Sequence, residues 1–208
     1  MADPITAPTL ITSGIALFTI ANPIGSLPVF LQITSGMDAR VQRRTGLLVG
    51  VAVAVILAIA LVAGTWVLQA FGIDITAFKI AGNALVAAIG WAMLLARPTP
   101  VSEHDGGSPV VVPLAMPIIA GPGAIALAIT FAHGYTSVLD YAFGLVVIVV
   151  VGALVSAALF FGPTVQRLLG RSGMDVLTRV FGLLLLAIAV QSIITSLGEA
   201  FPGWTAGS

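Results

Sequence analysis

The sequence of 208 residues contains no cysteine and few charged side chains. Without cysteine, the chain can form neither disulfides nor thiolate metal sites. Charged residues make up only 8% of it, whereas a soluble domain usually carries about 25%. Basic and acidic residues balance, so no net charge attracts the chain to nucleic acid. Because 59% of the residues are hydrophobic, most of the surface must face an apolar medium, and we expect that medium to be a lipid bilayer.

Long apolar stretches dominate the chain instead. About twenty helical residues cross the hydrocarbon core of a bilayer, and strands of a membrane barrel would alternate apolar and polar residues. The first stretch is too long for a signal-peptide core and lacks a preceding basic run. The sequence therefore predicts an all-α membrane protein with one transmembrane domain over residues 1–208. Its six predicted transmembrane helices lie near 9–33, 46–70, 75–96, 110–134, 139–162 and 176–197.

One sequence pattern occurs twice, about a hundred residues apart. A Gly-x-Asp segment is followed by a basic residue and a second glycine, which are Gly72, Asp74, Lys79 and Gly82 in the first copy and Gly173, Asp175, Arg179 and Gly182 in the second. Three spans per copy is an odd number, so the second half must enter the membrane from the opposite side. The pattern predicts two inverted three-helix repeats, 1–97 and 110–208, joined by a flexible cytoplasmic linker at 98–109.

The distribution of charge favours one topology. The connections 1–2, 3–4 and 5–6 contain Arg40, Arg43, Arg44, Arg97, Arg167 and Arg171. The opposite side holds Asp3, Asp74, His133, Asp140 and Glu199, with no Arg or Lys outside a span. By the positive-inside rule, both termini lie outside the cytoplasm. In an alternative with four spans, stretches 1 and 4 are re-entrant hairpins, but Arg167 would then lie on the side opposite Arg40.

Spans 1 and 4 each contain a cluster of proline and glycine near the middle. The clusters are Asn22-Pro23-Ile24-Gly25-Ser26-Leu27-Pro28 in span 1, and Pro117 with Gly121-Pro122-Gly123 in span 4. Proline removes an amide donor and glycine adds backbone freedom, so both helices are predicted to break. The freed backbone groups must be buried in protein or line a wet cavity. A kink that only shapes packing is the alternative, but two clusters in corresponding spans favour a role in substrate binding.

The second half of each broken helix begins with free N–H groups and the positive end of the helix dipole. If the halves are inverted, the two ends can face each other at the midplane and hold a carboxylate. Freed carbonyls near Ala21 and Ile119 would hold an ammonium group or a sodium ion. The predicted ligand is therefore a small zwitterion such as an amino acid. The predicted binding residues are Asn22, Pro23, Gly25, Ser26, Gly121, Pro122 and Gly123.

Lys79 and Arg179 each lie about one turn inside a span, on opposite sides of the membrane. Ionisable groups at this depth usually face the protein interior or a cavity, which favours a gating role. Snorkelling to the nearest interface, with a purely anchoring role, is equally compatible with the position. Asp175, four residues before Arg179, predicts a helical ion pair, whereas Asp74 predicts a helix N-cap. The glycine three residues after each basic residue would let a neighbouring helix approach closely.

Several functional classes lack candidate residues. No Asp or Glu lies near the middle of a span, so a carboxylate proton relay has no candidate. Neither His104, in the linker, nor His133, at the end of span 4, has carboxylates placed to complete a metal site. No Ser–His pair or acidic dyad lies at membrane depth, so we expect no enzymatic activity and no cofactor other than a sodium coupling ion. Asn83 and Gln191 are expected to link helices.

At these motifs the chain resembles the MarC family of integral membrane proteins. The resemblance covers almost the whole chain in order, through the segments 22–30, 113–117, 121–125 and 177–184. It implies a six-span protein of the bacterial inner membrane. It also implies a relation to small neutral amino acid transporters and to the wider lysine-exporter superfamily. Members of the family often carry Asp where this chain has Asn22.

Three functional hypotheses are compatible with this sequence. The first is a secondary transporter or exporter of a small neutral amino acid or similar metabolite, in which one repeat rocks against the other. The second is a channel, because paired Pro-containing half-helices also occur in aquaporins, although here the second break lacks Asn. The third is a membrane scaffold that transports nothing, in which helices rich in small residues serve association, including association into a homo-oligomer.

Overall fold

A computed structural model describes residues 7–95, 97, 119–133 and 135–201, with only the backbone given for residues 7–10 and 171. The predicted linker 98–109, Pro117 and the first half of span 4 lie outside the described residues. All regular structure in the described part is helical. Its helices are α1 (Ala7–Ala21), α2 (Pro23–Ile33), α3 (Ala39–Ala70), α4 (Ile75–Leu94), α5 (Pro122–His133), α6 (Val138–Phe160) and α7 (Gly162–Ala200).

Most of these helices have the length and composition of membrane spans. Five described segments qualify, namely Ile11–Ile33, Ala39–Ala70, Ile75–Leu94, Val138–Gly170 and Ser172–Ala200, and α5 is a shorter apolar helix. Along α3, Val51, Val55 and Ile59 are more than half exposed, whereas Val53 and Leu57 on the opposite face are fully buried. An exposed apolar stripe of this kind suits contact with lipid. The predicted all-α membrane architecture is confirmed at this level.

Glycines with positive φ form two of the corners between helices. Gly72 (φ 65°) lies between α3 and α4. Asp74 then caps α4, because its Oδ1 accepts the Thr76 N–H at 2.7 Å, as predicted. This hydrogen bond from the Thr76 backbone lowers the pKa of the Asp74 carboxyl. In the second half the corresponding change of direction is a kink within α7 at Gly170 (φ 61°, ψ −172°). This conformation is almost confined to glycine.

The two copies of the Gly-x-Asp segment therefore have different structures. The first copy forms the corner before α4, whereas Gly173 and Asp175 lie within α7, after the corner. The predicted connection between spans 5 and 6 is itself helical, because α7 begins at Gly162 and only Gly170 departs from helical geometry. Arg167 thus lies in the first part of α7, before Gly170. This part continues from α6, since residues 138–170 form one apolar segment.

Small residues allow helices of the two halves to pack closely. Between α3 and α6, a Cβ added to Gly152 would lie 2.9 Å from the Gly50 carbonyl oxygen, and one added to Gly50 would lie 2.5 Å from the Gly152 carbonyl oxygen. Ser156 Oγ also donates to the Leu47 carbonyl at 3.2 Å across this crossing. Next to it lies the hydrophobic core, which includes the buried residues Leu17, Phe30, Leu57, Ile119, Ile129, Ile148 and Leu159.

Candidate functional site

The first apolar helix is broken at Asn22, as predicted. α1 ends at Ala21 and α2 begins at Pro23, with Asn22 between them in the left-handed conformation (φ 42°, ψ 58°). Asn22 is the central residue of the apolar segment Ile11–Ile33. Pro23 has no N–H, and the Gly25 N–H donates to Asn22 Oδ1 at 3.1 Å. The carbonyl of Ala21 therefore loses the amide that a continuous helix would supply.

The residues that follow Asn22 maintain this turn. A Cβ at Gly25 would overlap the Asn22 side-chain amide, so only glycine lets that side chain cap α2. Ser26 Oγ donates to the Pro23 carbonyl at 3.0 Å, and both residues are buried. Pro23, Gly25 and Ser26 therefore maintain the break and do not line the cavity that Asn22 contacts.

The second break ends at Pro122, where α5 begins. Proline at the first helical position fits, because the missing N–H would have no partner there. The first backbone bond of α5 joins the Ile125 N–H to the Gly121 carbonyl at 2.9 Å. Gly121 has no side chain to cap the helix, and the N–H groups of Gly123 and Ala124 have no acceptor among the described residues. The two breaks thus differ, since Asn22 caps α2, whereas no side chain of the described residues caps α5.

The two breaks meet at one cavity of about 670 Å³. Asn22 lines it from the first break and Gly121, Pro122 and Gly123 line it from the second. The breaks are close neighbours, because a Cβ at Gly123 would lie 3.2 Å from Ile20 Cγ2. Polar side chains from α4, α5 and α7 complete the wall, namely Lys79, Asn83, Thr130, Gln191, Ser192, Thr195, Ser196 and Glu199. Among the predicted binding and gating residues, the structure brings Asn22, Gly121, Pro122, Gly123 and Lys79 together.

An ion pair between the two halves lies at the edge of this cavity. Lys79 Nζ is 3.2 Å from Glu199 Oε2, and the side chains are 26% and 48% exposed. Sequence reasoning did not select Glu199, although the positive-inside assignment had placed it on the same side as Lys79. Within the predicted spans, Lys79 is the basic residue near the non-cytoplasmic side. A search for an acidic residue near it would have found Glu199.

Two other cavity residues differ from expectation. Asn83 Nδ2 donates to the Lys79 carbonyl at 2.8 Å, and Gln191 bonds Thr195, one turn further along α7. Each side chain therefore bonds its own helix, and the expected links between helices are not found among the described residues. Both line the cavity instead, because they lie on the faces that α4 and α7 turn toward each other.

The two glycines that follow the basic residues do allow close approach, as predicted. A Cβ at Gly82 would overlap the ring of Pro122, so α4 packs directly on the start of α5. A Cβ at Gly182 would lie 2.9 Å from the Gly90 carbonyl oxygen, so α7 packs on α4. The Gly82–Pro122 contact therefore joins a repeated glycine to the second break. The Gly182–Gly90 contact lies at the end of the cavity remote from Lys79.

Arg179 and Asp175 lie apart from the cavity. Both side chains are exposed, and the ion pair found within the described residues is the one between Lys79 and Glu199. The expected Asp175–Arg179 pair is therefore not formed. Exposed pairs gain little energy and lose side-chain entropy, which explains why the spacing alone did not produce the contact. Lys79 and Arg179 are equivalent in the sequence pattern but not in their surroundings.

The polar groups at the cavity are backbone N–H groups, amides, hydroxyls and one ion pair. Among the described residues, no three His, Asp or Glu side chains come together in a way that would hold a metal ion. The cavity therefore combines separated groups of opposite polarity with apolar walls such as Val86, Leu127 and Ile188. Such a surface suits a small ligand that carries one group that accepts hydrogen bonds and another that donates them.

Comparison with known proteins agrees with the sequence motifs. The sequence model of the family described as "MarC family integral membrane protein" matches residues 7–201. The UPF0056 membrane protein YhcE of Escherichia coli is 39% identical, over 91% of this chain and 92% of that protein. YvbG of Bacillus subtilis is 33% identical over 90% and 93%, and the UPF0056 inner membrane protein MarC of Citrobacter koseri is 31% identical over 89% and 92%. No solved structure matches significantly. The chain belongs to the MarC family of integral, multi-pass membrane proteins.

Proposed function

We propose that this protein is a secondary transporter or exporter of a small neutral amino acid or similar zwitterionic metabolite. The observation that carries the proposal is the cavity in which Asn22 and Gly121–Gly123 meet. Its volume of about 670 Å³ falls within the roughly 300–1,000 Å³ typical of small-molecule sites. Broken helices that meet at a ligand-binding cavity are a recurring feature of secondary transporters. The protein is proposed to carry its ligand unchanged and to have no enzymatic activity.

The two breaks supply different halves of the proposed binding site. The N–H groups of Gly123 and Ala124, which have no acceptor in the described part of the chain, suit a carboxylate together with the dipole of α5. The start of α2 is less suited to a carboxylate, because the Gly25 N–H already donates to Asn22 Oδ1. Ala21 is buried and only its neighbours Ile20 and Asn22 line the cavity, but its carbonyl lacks a helical partner and is proposed to hold the ammonium group or a sodium coupling ion. A zwitterion would therefore lie with its carboxylate toward α5 and its ammonium toward the end of α1.

The same proposal includes six spans in two inverted repeats, with both termini outside the cytoplasm of a bacterial inner membrane. Pairing of equivalent helices supports it. Gly50 and Gly152 lie about a hundred residues apart and each contacts the carbonyl of the other, as equivalent positions near a two-fold axis would. The equivalent helices α4 and α7 also pack on each other through Gly90 and Gly182. Alternating access would then come from movement of one repeat against the other.

Counterflow in liposomes tests the proposal. Purified protein is reconstituted with an internal pool of one neutral amino acid, and exchange of the labelled compound is measured across a panel. We expect saturable exchange for at least one member, and loss of that exchange in Gly123→Leu, whose side chain would fill the space beside Ile20. Gly14→Ala is the matched control, because its Cβ would make only an ordinary 3.4 Å contact with Val147.

The alternatives predict different outcomes of the same experiment. A channel would give flux that does not saturate and does not depend on an internal pool. A scaffold would give no flux, and Gly123→Leu would leave its cellular phenotype unchanged. Absence of exchange for every neutral amino acid, from protein that is folded in the liposomes, would contradict the proposed function.

A further inference from the structure

Helices α4 and α7 pack extensively on each other, and two of their contacts lie toward opposite ends of the cavity. The first is the crossing of Gly90 and Gly182, where a Cβ on Gly90 would lie 2.8 Å from the Gly182 carbonyl oxygen. Both glycines are buried, and Ile89 and Met93 beside them are each 1% exposed. The second place is the Lys79–Glu199 ion pair, in the second turn of α4 and the last turn of α7. At the glycine crossing the backbones of the two helices are in contact, whereas the ion pair is a contact between side chains.

Along both helices, the residues that line the cavity lie between the positions of these two contacts. On α4 it is lined by Val86, Asn83 and Lys79, which follow one another at helical spacing away from Gly90. On α7 the lining runs in the same way from Leu185, next to Gly182, to Glu199. Lys79 lies about three turns from Gly90, and Glu199 about five turns from Gly182. The ion pair therefore lies at the edge of the cavity, at the end remote from the glycine crossing.

The two contacts differ in how easily they separate. The glycine crossing is dry and in backbone contact, so its separation would open a void in packed protein. The ion pair is partly exposed at both partners, and such pairs add little to stability. Splaying of the ends of α4 and α7 remote from the crossing would thus break the ion pair and leave the crossing in place.

We propose that Lys79 and Glu199 form a gate over the cavity, with the Gly90–Gly182 crossing as the fixed contact about which α4 and α7 separate. When the pair is formed, it restricts access to the cavity from that end of the bundle. When it breaks, solvent access to Ser192 and Ser196 on the inner face of α7 increases. The gate serves the proposed transport function, but its opening is measurable without any transported compound.

The chain has no cysteine, so a single cysteine can report on access. Ser192→Cys lines the cavity two turns inside Glu199. Its rate of labelling by a charged, membrane-impermeant methanethiosulfonate reagent is measured in lipid nanodiscs, where both faces are accessible. The rate is measured in four backgrounds, namely the native pair, Lys79→Gln, Glu199→Gln and the charge exchange Lys79→Glu/Glu199→Lys. Thr136→Cys, exposed in the loop before α6, is the control cysteine.

We expect each neutral substitution to speed labelling of position 192 by about 1.5- to 5-fold, as loss of a partly exposed pair implies. The charge exchange restores the pair and returns the rate to that of the native pair. Labelling of position 136 stays constant throughout. Equal rates at position 192 in all backgrounds would overturn the gate, and so would a charge exchange that labels as fast as the neutral variants.

The outcome separates the gate from the proposed function. If labelling responds as expected while no neutral amino acid is exchanged in liposomes, the gate stands and the transport proposal fails. If exchange occurs while labelling does not respond, the gate alone fails.

Discussion

Gly82 of α4 lies directly against the ring of Pro122, the first residue of α5, and a Cβ at position 82 would overlap that ring. The two residues come from opposite halves of the chain and from separate sequence signals, a repeated glycine and a broken helix. Their contact holds the start of α5 against α4, where Pro122 also lines the cavity. The glycine therefore positions the start of α5, whose first N–H groups are proposed to bind the ligand.

Substitution of Gly82 tests this positioning. Gly82→Ala is expected to lower the free energy of unfolding by about 1–3 kcal/mol through overpacking, partly offset by the roughly 1 kcal/mol that alanine gains in a helix. Thermal unfolding in detergent measures the change. Gly14→Ala, whose Cβ would sit 3.4 Å from Val147 Cγ1, should be as stable as the native protein or more so. If the two variants unfold at the same temperature, Pro122 moves aside without penalty and the positioning role is wrong.

Asn22 contributes both a side-chain cap and a left-handed backbone conformation. Asn22→Ala loses the cap, worth about 1 kcal/mol, and places alanine at φ 42°, which costs roughly another 1–2 kcal/mol. Asn22→Gly loses the cap but tolerates the conformation, so it should be destabilised by only a few tenths of a kcal/mol. Denaturant unfolding of both variants measures the difference. Equal stability of the two would show that the left-handed turn relaxes when Asn22 is replaced.

Cysteine accessibility in intact cells distinguishes six spans from four. Ser35→Cys lies in the turn after α2, and Ser172→Cys follows the corner at Gly170. With six spans, both cysteines are cytoplasmic and resist an impermeant maleimide, whereas Thr136→Cys is labelled. With re-entrant first and fourth stretches, Ser35→Cys and Ser172→Cys would lie on opposite sides. Labelling after the cells are made permeable confirms that each thiol is reactive.

The Asp74 cap makes a small part of the stability depend on pH. The Thr76 hydrogen bond lowers the folded-state pKa of Asp74 below the unfolded value of about 3.9. The contribution is therefore fully present above the unfolded pKa and is lost as the pH falls through the folded-state pKa. Asn also caps helices but does not titrate. We expect the native protein to lose more thermal stability on acidification than Asp74→Asn, and parallel losses would contradict the assignment.

Much of the site followed from local chemistry. The break at Asn22 and the helix start at Pro122 were predicted because proline and glycine act on the backbone whatever surrounds them. The cap at Asp74 was predicted for the same reason. The Asp175–Arg179 pair was not found, because a spacing that permits an exposed ion pair does not stabilise it.

The sequence by itself determined that this chain is helical and apolar enough for a membrane, where helices break, and to which family it belongs. These properties depend on composition and on residues within one or two turns. Only the tertiary structure decided that both breaks line one cavity, that Glu199 of α7 pairs with Lys79 of α4, and that Arg179 stays outside. Those relationships depend on which glycines let helices cross, and the Gly90–Gly182 and Gly82–Pro122 contacts join residues far apart in the chain.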